Sequence, residues 1–264
     1  MGPINQLKGH FSVLNKTGSN DVRLGNRHSG GFLVESRMTQ FQEYRTFETP
    51  EILAEYVGQI WRELQSRYKI FYLSSPLSST PLLVYRWVIE NAGSFSRWED
   101  FRFVLKDEQV EGSHPEEFSY VPLEDSASYE RFARENLLKP LQDKIYPSVH
   151  QDAILKPDLR NLSGFDALLK EHGGIDLLIL AIGVKGHYAQ VMPETSLDTG
   201  FHVAKLIPEL AQVHTQKGSQ SYEGAQFRQY GMSLGHQQVL GAKNVIVMIS
   251  GEKKRELAQE LLSH

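Results

Sequence analysis

The chain has 264 residues, of which 40% are hydrophobic and 10% aromatic, enough to fill one large α/β domain or two small ones, the single domain being the simpler reading. A formal net charge of −4 and a pI near 6.2 argue against a dominant nucleic-acid or anionic-membrane role, and the absence of cysteine excludes disulfides and thiolate metal sites. No apolar run approaches the roughly 20 residues that span a bilayer, and residues 1–16 lack the continuous apolar stretch of a signal peptide, so a cytoplasmic location is expected.

The sequence divides at about Met38. Residues 1–37 are rich in Gly, Ser and Asn with little periodicity, which fits either a flexible leader or an irregular appended segment, and residues 38–264 form the main domain. Thr49 followed by Pro50 marks a helix start, and Ile52, Leu53, Tyr56, Val57, Ile60, Trp61 and Leu64 continue as one apolar stripe. A strand is expected at 70–73, a helix at 80–92 and a second strand at 101–105. A helix follows over 126–141 with Tyr129, Phe132, Ala133, Leu137 and Leu141 inward. The apolar run 177–182 reads as a strand buried on both faces. Another strand is expected at 245–249, closed by a helix at 252–262. Such alternation implies a mainly parallel sheet covered by helices on both faces.

Three loops follow carboxyl ends of these strands, the edge where open α/β sheets collect ligands. The first, Ser-Ser-Pro-Leu-Ser-Ser-Thr-Pro at 74–81, offers the hydroxyls of Ser75, Ser78, Ser79 and Thr80 at a helix start. It suits an anion such as phosphate, or it is a serine-rich turn in which Ser79 or Thr80 caps the helix. The second, at 106–112, carries Asp107 and Glu108, one of which could serve as a general base; adjacent acids in a loop are more often simply solvated. The third ends in Gly183, Gly186 and His187 and offers an imidazole for proton transfer, or a turn histidine that bonds only its own loop. His10, His28 and His114 show no metal-ligand spacing, so neither metal nor cofactor is expected.

The order and wording of these loops resemble the glucosamine-6-phosphate deaminase/isomerase family, which includes galactosamine-6-phosphate isomerases and 6-phosphogluconolactonases. Thr80-Pro81 keeps the ending of the family's phosphate loop, Asp107-Glu108 its Asp-Glu pair, 126–137 the helix that follows, 183–193 its Gly-His loop and 230–254 its last helix–strand unit. The resemblance implies a three-layer, Rossmann-like α/β fold and a small phosphorylated sugar as ligand, with no nucleic-acid or membrane partner and with homo-oligomerisation left open. It implies that Asp107 shuttles a proton between C1 and C2, that His187 assists ring opening and that Ser78, Ser79 and Thr80 hold phosphate. The chain also departs from the pattern. Lys185 stands where the deaminases carry aspartate, Met192 where they carry glutamate, and Gln229 where a lysine precedes the last unit, with the adjacent Arg228 expected to bind the phosphate. Gln109 replaces the arginine that follows the Asp-Glu pair in the lactonases. Lys185 reads either as a substitute phosphate ligand or as an exposed loop lysine. The expected activity is isomerisation or deamination of an amino-sugar 6-phosphate; the alternatives are a sugar-phosphate binder that has lost catalysis and a lactone hydrolase in which His187 activates water. Gly2-Pro3-Ile4 and the apolar run 11–14 resemble the family's C-terminal segment, so residues 1–37 are expected to take that segment's place, as in a circular permutation, with a strand at 21–24 or 31–35.

Overall fold

The computed structural model describes residues 11–17, 43–145, 149–150, 152–183, 187–191, 195–206, 228–249 and 254. Strand β1 (Phe11–Thr17) is followed by β2 (Glu43–Phe47). Helix α1 (Pro50–Arg67) starts as the sequence dictates: the Thr49 hydroxyl accepts from the Ile52 N–H at 3.3 Å and Pro50 occupies the first turn. Its stripe buries Leu53, Val57, Trp61 and Leu64, while Ile52, expected inside, is exposed. Strand β3 (Phe71–Ser74), helix α2 (Leu82–Glu90) and strand β4 (Phe101–Val104) match the expected elements to within two residues at each end.

The chain then departs from the expected loop. Residues Asp107–Glu111 form strand β5, and Ser119–Tyr120 forms β6. The helix expected at 126–141 begins at α3 (Tyr129–Ala133), passes through a π-helical turn at Arg134–Leu138 and runs on as α4 (Lys139–Ile145). The wider turn lets the consecutive Leu137 and Leu138 both point into the core. Strand β7 (Ile154–Leu155) and helix α5 (Leu162–Glu171) precede β8 (Leu177–Ala181), the central strand of the sequence reading. Strands β9 (His202–Lys205) and β10 (Tyr230–Ser233), helix α6 (His236–Gly241) and strand β11 (Asn244–Ile249) complete the described elements. The helix expected at 252–262 lies outside the described residues.

Two sheets result. The larger has the order β2-β1-β11-β8-β3-β4-β7, and the five strands from β11 to β7 run parallel. From β3 the chain first winds outward through β4 to β7, then returns to the other side of β3 for β8 and β11. The winding therefore reverses between β3 and β8, and the crevice above their carboxyl ends is the place where a doubly wound sheet takes its ligand. The smaller sheet, β6-β5-β10-β9, is antiparallel. Residues 1–37 contribute β1, which pairs antiparallel with β11, Val13 opposite Met248. The strand expected at 21–24 or 31–35 lies outside the described residues.

Side chains of the parallel strands alternate between two cores. Phe71, Leu73, Phe101, Phe103, Leu177, Ile179, Ile246 and Met248 pack under α1, α2 and the α3–α4 helix. Tyr72, Leu178, Leu180, Val245 and Val247 face α5, α6 and the antiparallel sheet, meeting Phe165, Leu169, Val110 and Met232. This is the three-layer, Rossmann-like arrangement, with the second sheet sharing one face with helices.

The amino ends of the central strands are stapled by Asp176, whose side chain is 1% exposed. Its Oδ2 accepts from the Tyr72 N–H at 2.8 Å, its Oδ1 from Lys243 Nζ at 2.6 Å, and its carbonyl from the Asn244 amide at 2.8 Å. One residue thereby fixes the relative register of β3, β8 and β11. Removing it leaves a buried N–H and a half-buried ammonium without their acceptor, a loss of about 3 kcal/mol by analogy with broken buried pairs. Asp176→Ala is expected to lower the urea midpoint accordingly, without a change in the slope of the transition.

Candidate active site

Loops after β3, β4 and β8 leave the parallel sheet on one side. Ser74 and Ser75 begin the first and are fully buried, Ser78 and Thr80 are half-buried, and Ser79 is exposed. Helix α2 is preceded by Pro81 and has no side-chain cap, so neither Ser79 nor Thr80 serves the capping role open to it from sequence. The Tyr85 hydroxyl donates to the Pro76 carbonyl at 2.9 Å and sits beside Ser75; burial raises its pKa far above that of an ordinary phenol. Asp107 acts on Tyr85 through its charge, which places the first loop and the second in one electrostatic neighbourhood.

The second loop is a turn of two residues into β5. Both members of the Asp-Glu pair are buried, Asp107 at 7% exposure and Glu108 at 1%, not solvated as a loop would leave them. Lys106, 3% exposed, donates from Nζ to Asp107 Oδ2 at 2.8 Å, and its carbonyl accepts from the Leu234 N–H at 2.6 Å. The other carboxylate oxygen of Asp107, Oδ1, is buried without a hydrogen bond.

Glu108 is turned to the opposite side of the strand, and its expected catalytic role is corrected. Its Oε1 accepts from the N–H groups of Gln109 and Tyr129, and its Oε2 from the Ser128 hydroxyl and the Glu130 N–H, all at 2.7–3.0 Å. These donors include the otherwise unpaired N–H groups opening α3, so the carboxylate completes a helix N-terminus. Arg228, expected to hold phosphate, is corrected likewise. Its guanidinium pairs with Glu111 and Asp125 at 2.7 Å each, and its N–H donates to Gln109 Oε1 at 2.8 Å. Two carboxylates neutralise the charge that phosphate would need.

The third loop folds back on its strand. The Gly183 N–H donates to the His187 carbonyl at 2.8 Å, and the imidazole lies so close over Gly183 that an added Cβ would meet the ring at 2.1 Å. Tyr188 hydrogen-bonds His236 Nδ1, and His236 Nε2 reaches the Thr195 carbonyl at 3.1 Å. Burial pushes the Tyr188 phenol up to about 12, which keeps it protonated as the donor in this chain. The Gln190 N–H donates to Ser233 Oγ at 3.2 Å, and Ser233 pairs with Asp107 in the β5–β10 ladder. The loop is thus fastened to the strand that lies beside Asp107. Lys185 lies outside the described residues.

Sequence reasoning missed three members of this neighbourhood. Gln109 and Gln190 are 0% and 5% exposed, and the Tyr129 hydroxyl lies against both amides. Gln109 Nε2 and both amide atoms of Gln190 lack a well-formed hydrogen bond. Among the described residues, the buried side-chain atoms left in that state belong to Ser74, Ser75, Asp107, Gln109 and Gln190. Ser74 and Ser75 stand at the carboxyl end of β3, Asp107 and Gln109 on β5, which follows β4, and Gln190 on the loop that follows β8. Gln109 was visible as a departure after the Asp-Glu pair; nothing in the sequence distinguished Gln190 from an ordinary loop residue.

Glu108 carries a prediction. Burial pushes its carboxyl up to about 7, against the four donors that favour its charged form. A raised acid pKa means the folded chain holds the proton more tightly than the unfolded one. This contribution to stability is full below about 4.5 and is lost as pH rises through about 7. In Glu108→Gln an NH₂ faces the Glu130 N–H, so we expect destabilisation by about 2 kcal/mol. The gap from wild type should narrow between pH 4.5 and 7, because only wild type has this titration. Urea unfolding at both ends of that range reads the change.

The family model described as glucosamine-6-phosphate isomerases/6-phosphogluconolactonase matches residues 51–264. A glucosamine-6-phosphate deaminase of Caenorhabditis elegans is 27% identical over 211 residues, which is 77% of this chain and 73% of that protein. Among solved structures, a monomeric glucosamine-6-phosphate deaminase matches with a TM-score of 0.69 at 20% identity, covering 81% of this chain and 85% of that one. The 6-phosphogluconolactonase of Trypanosoma brucei matches with a TM-score of 0.58 at 18% identity, covering 81% and 84%. The two structures share the fold described above, and the chain belongs to the glucosamine-6-phosphate isomerase/6-phosphogluconolactonase family.

Proposed function

We propose that the protein is an aldose–ketose isomerase/deaminase acting on an amino-sugar 6-phosphate. The observation that carries this reading is the buried, unpartnered Oδ1 of Asp107 within the cluster of unmet polar atoms at the carboxyl edge. A buried carboxylate oxygen without a donor is costly unless a ligand or water uses it. Asp107 Oδ2 is held by Lys106, so the carboxylate is fixed in orientation and Oδ1 is the basic atom presented.

In this reading His187 carries the proton exchange that opens the sugar ring, yielding a free aldehyde at C1. Asp107 Oδ1 removes the proton from C2, and the C–H electron pair forms a C1–C2 double bond as the carbonyl oxygen takes a proton. Return of the proton to C1 gives an imine at C2, which water hydrolyses to the ketone with release of ammonia. One carboxyl thus serves both carbons. Phosphate sits at the turn of Ser78, Ser79 and Thr80, where the uncapped start of α2 supplies N–H groups. The substitutions Lys185 and Met192 favour a second reading, in which the fold binds a sugar phosphate without turning it over.

Deuterium incorporation at C2 of glucosamine 6-phosphate or galactosamine 6-phosphate, and at C1 of the ketose product, in heavy water, followed by proton NMR, tests the proposal. Asp107→Asn should reduce exchange by about 10³-fold while thermal stabilisation by the sugar phosphate persists. Undiminished exchange in that variant sinks the assignment of the base. Stabilisation of the wild type without exchange supports the binder.

A further inference from the structure

Resting on that reading, we infer that Gln109, Gln190 and Tyr129 form a subsite that reads the configuration of the sugar hydroxyls between the reacting carbons and the phosphate. Gln109 stands two residues beyond Asp107 on β5, so the two side chains share one face of the strand about 7 Å apart. A base placed at C2 therefore has Gln109 alongside the following carbons, where C3 and C4 carry the hydroxyls that separate sugar epimers.

The polar atoms match that task. The Gln109 Oε1 is already used by the Arg228 N–H, and Arg228 is anchored by Glu111 and Asp125, so the orientation of the amide is fixed and Nε2, beside the Tyr129 phenol, is the end without a well-formed bond. Gln190 brings an uncommitted donor and an uncommitted acceptor on one amide. Its backbone is tied to Ser233, the ladder partner of Asp107. The amide rests on Gly231, the ladder partner of Gln109, where a Cβ would lie 2.0 Å from Gln190 Oε1. The Tyr129 phenol, kept protonated by burial, lies against both amides. Neutral groups that both donate and accept suit hydroxyls, which do the same. A buried site of this kind discriminates strongly, because the wrong epimer leaves its donors and acceptors unpaired.

The test uses hexitol phosphates that bind but cannot react: 2-amino-2-deoxyglucitol 6-phosphate and its 4-epimer, 2-amino-2-deoxygalactitol 6-phosphate, both lacking the C1 carbonyl. Titration calorimetry on the full chain should show the two separated by about tenfold or more in Kd. Gln190→Met, which removes the amide while the backbone N–H keeps its bond to Ser233, should bring the ratio below about threefold and leave the affinity for inorganic phosphate unchanged. Gly231→Ala, which drives the amide from its place, should do the same. A ratio that holds in both variants overturns the inference. A wild type that binds neither hexitol or fails to distinguish them also overturns it, and then the amides hold buried water only. Epimer discrimination lost in the variants, together with no deuterium exchange on the parent sugars, keeps the subsite and rejects the isomerase. Exchange with an unmoved ratio does the reverse.

Discussion

The site rests on one buried carboxylate that takes no part in its chemistry. Glu108 gathers four donors, two from the first N–H groups of α3 and one from the hydroxyl of its N-cap Ser128. A carboxyl this deeply buried is tolerated only when its oxygens are fully used, so the positions of strand β5 and helix α3 are interdependent. Because residues alternate along a strand, fixing Glu108 toward the helix turns Asp107 and Gln109 to the other side. Because Tyr129 is the first residue of the helix, the same contact carries its phenol over that side. The Asp-Glu pair therefore divides its labour: one carboxylate builds the wall and the other faces the space it encloses.

The parallel sheet supplies the second constraint. Asp176 ties β3, β8 and β11 at their amino ends. With that end pinned, strand length decides where each carboxyl end falls, and hence where the serines after β3 and the His187 loop after β8 emerge. Both loops flank the point where the winding reverses. The antiparallel sheet then closes the crevice from the side, since β10 pairs with β5 at Asp107 and holds Gln190 through Ser233. Position at the edge comes from the parallel sheet, and depth of burial comes from the antiparallel one.

This division explains what could be read from the sequence. The parallel strands are mostly apolar, and α1 has a complete cap-and-stripe signature, so the α/β layers and the three loops were legible. Strand β5 was not, because Asp-Glu-Gln-Val-Glu contradicts strand preference and its acids look solvated. Only contacts distant in sequence, with Ser128, Tyr129 and Glu130 for Glu108 and with β10 for the ladder, make burial of that segment tolerable. Arg228 misled for a similar reason. An arginine beside the position of the family's lysine reads as a ligand until Glu111 and Asp125, more than 100 residues away, are seen to hold it.

What distinguishes this edge is how its charges are spent. Lys106 is matched by Asp107, Arg228 by Glu111 and Asp125, and Glu130 by Arg134 and Lys156. Each pair settles its own desolvation cost locally, which buried ions must do. Among the described residues, the buried groups left without a well-formed hydrogen bond are the neutral hydroxyls of Ser74 and Ser75, Nε2 of Gln109, the Gln190 amide and a single carboxylate oxygen of Asp107. A ligand entering here meets hydrogen-bonding demand from uncharged groups around one anionic atom. Neutral groups of this kind suit the hydroxyls of a polyhydroxylated chain, and in the proposed reaction the one carboxylate oxygen among them is the acceptor for the proton that moves. The paired Lys106 holds that acceptor in place: with Oδ2 occupied, the carboxylate cannot rotate without breaking a buried charge-assisted bond, so the direction in which Oδ1 points is set by the fold and not by a ligand.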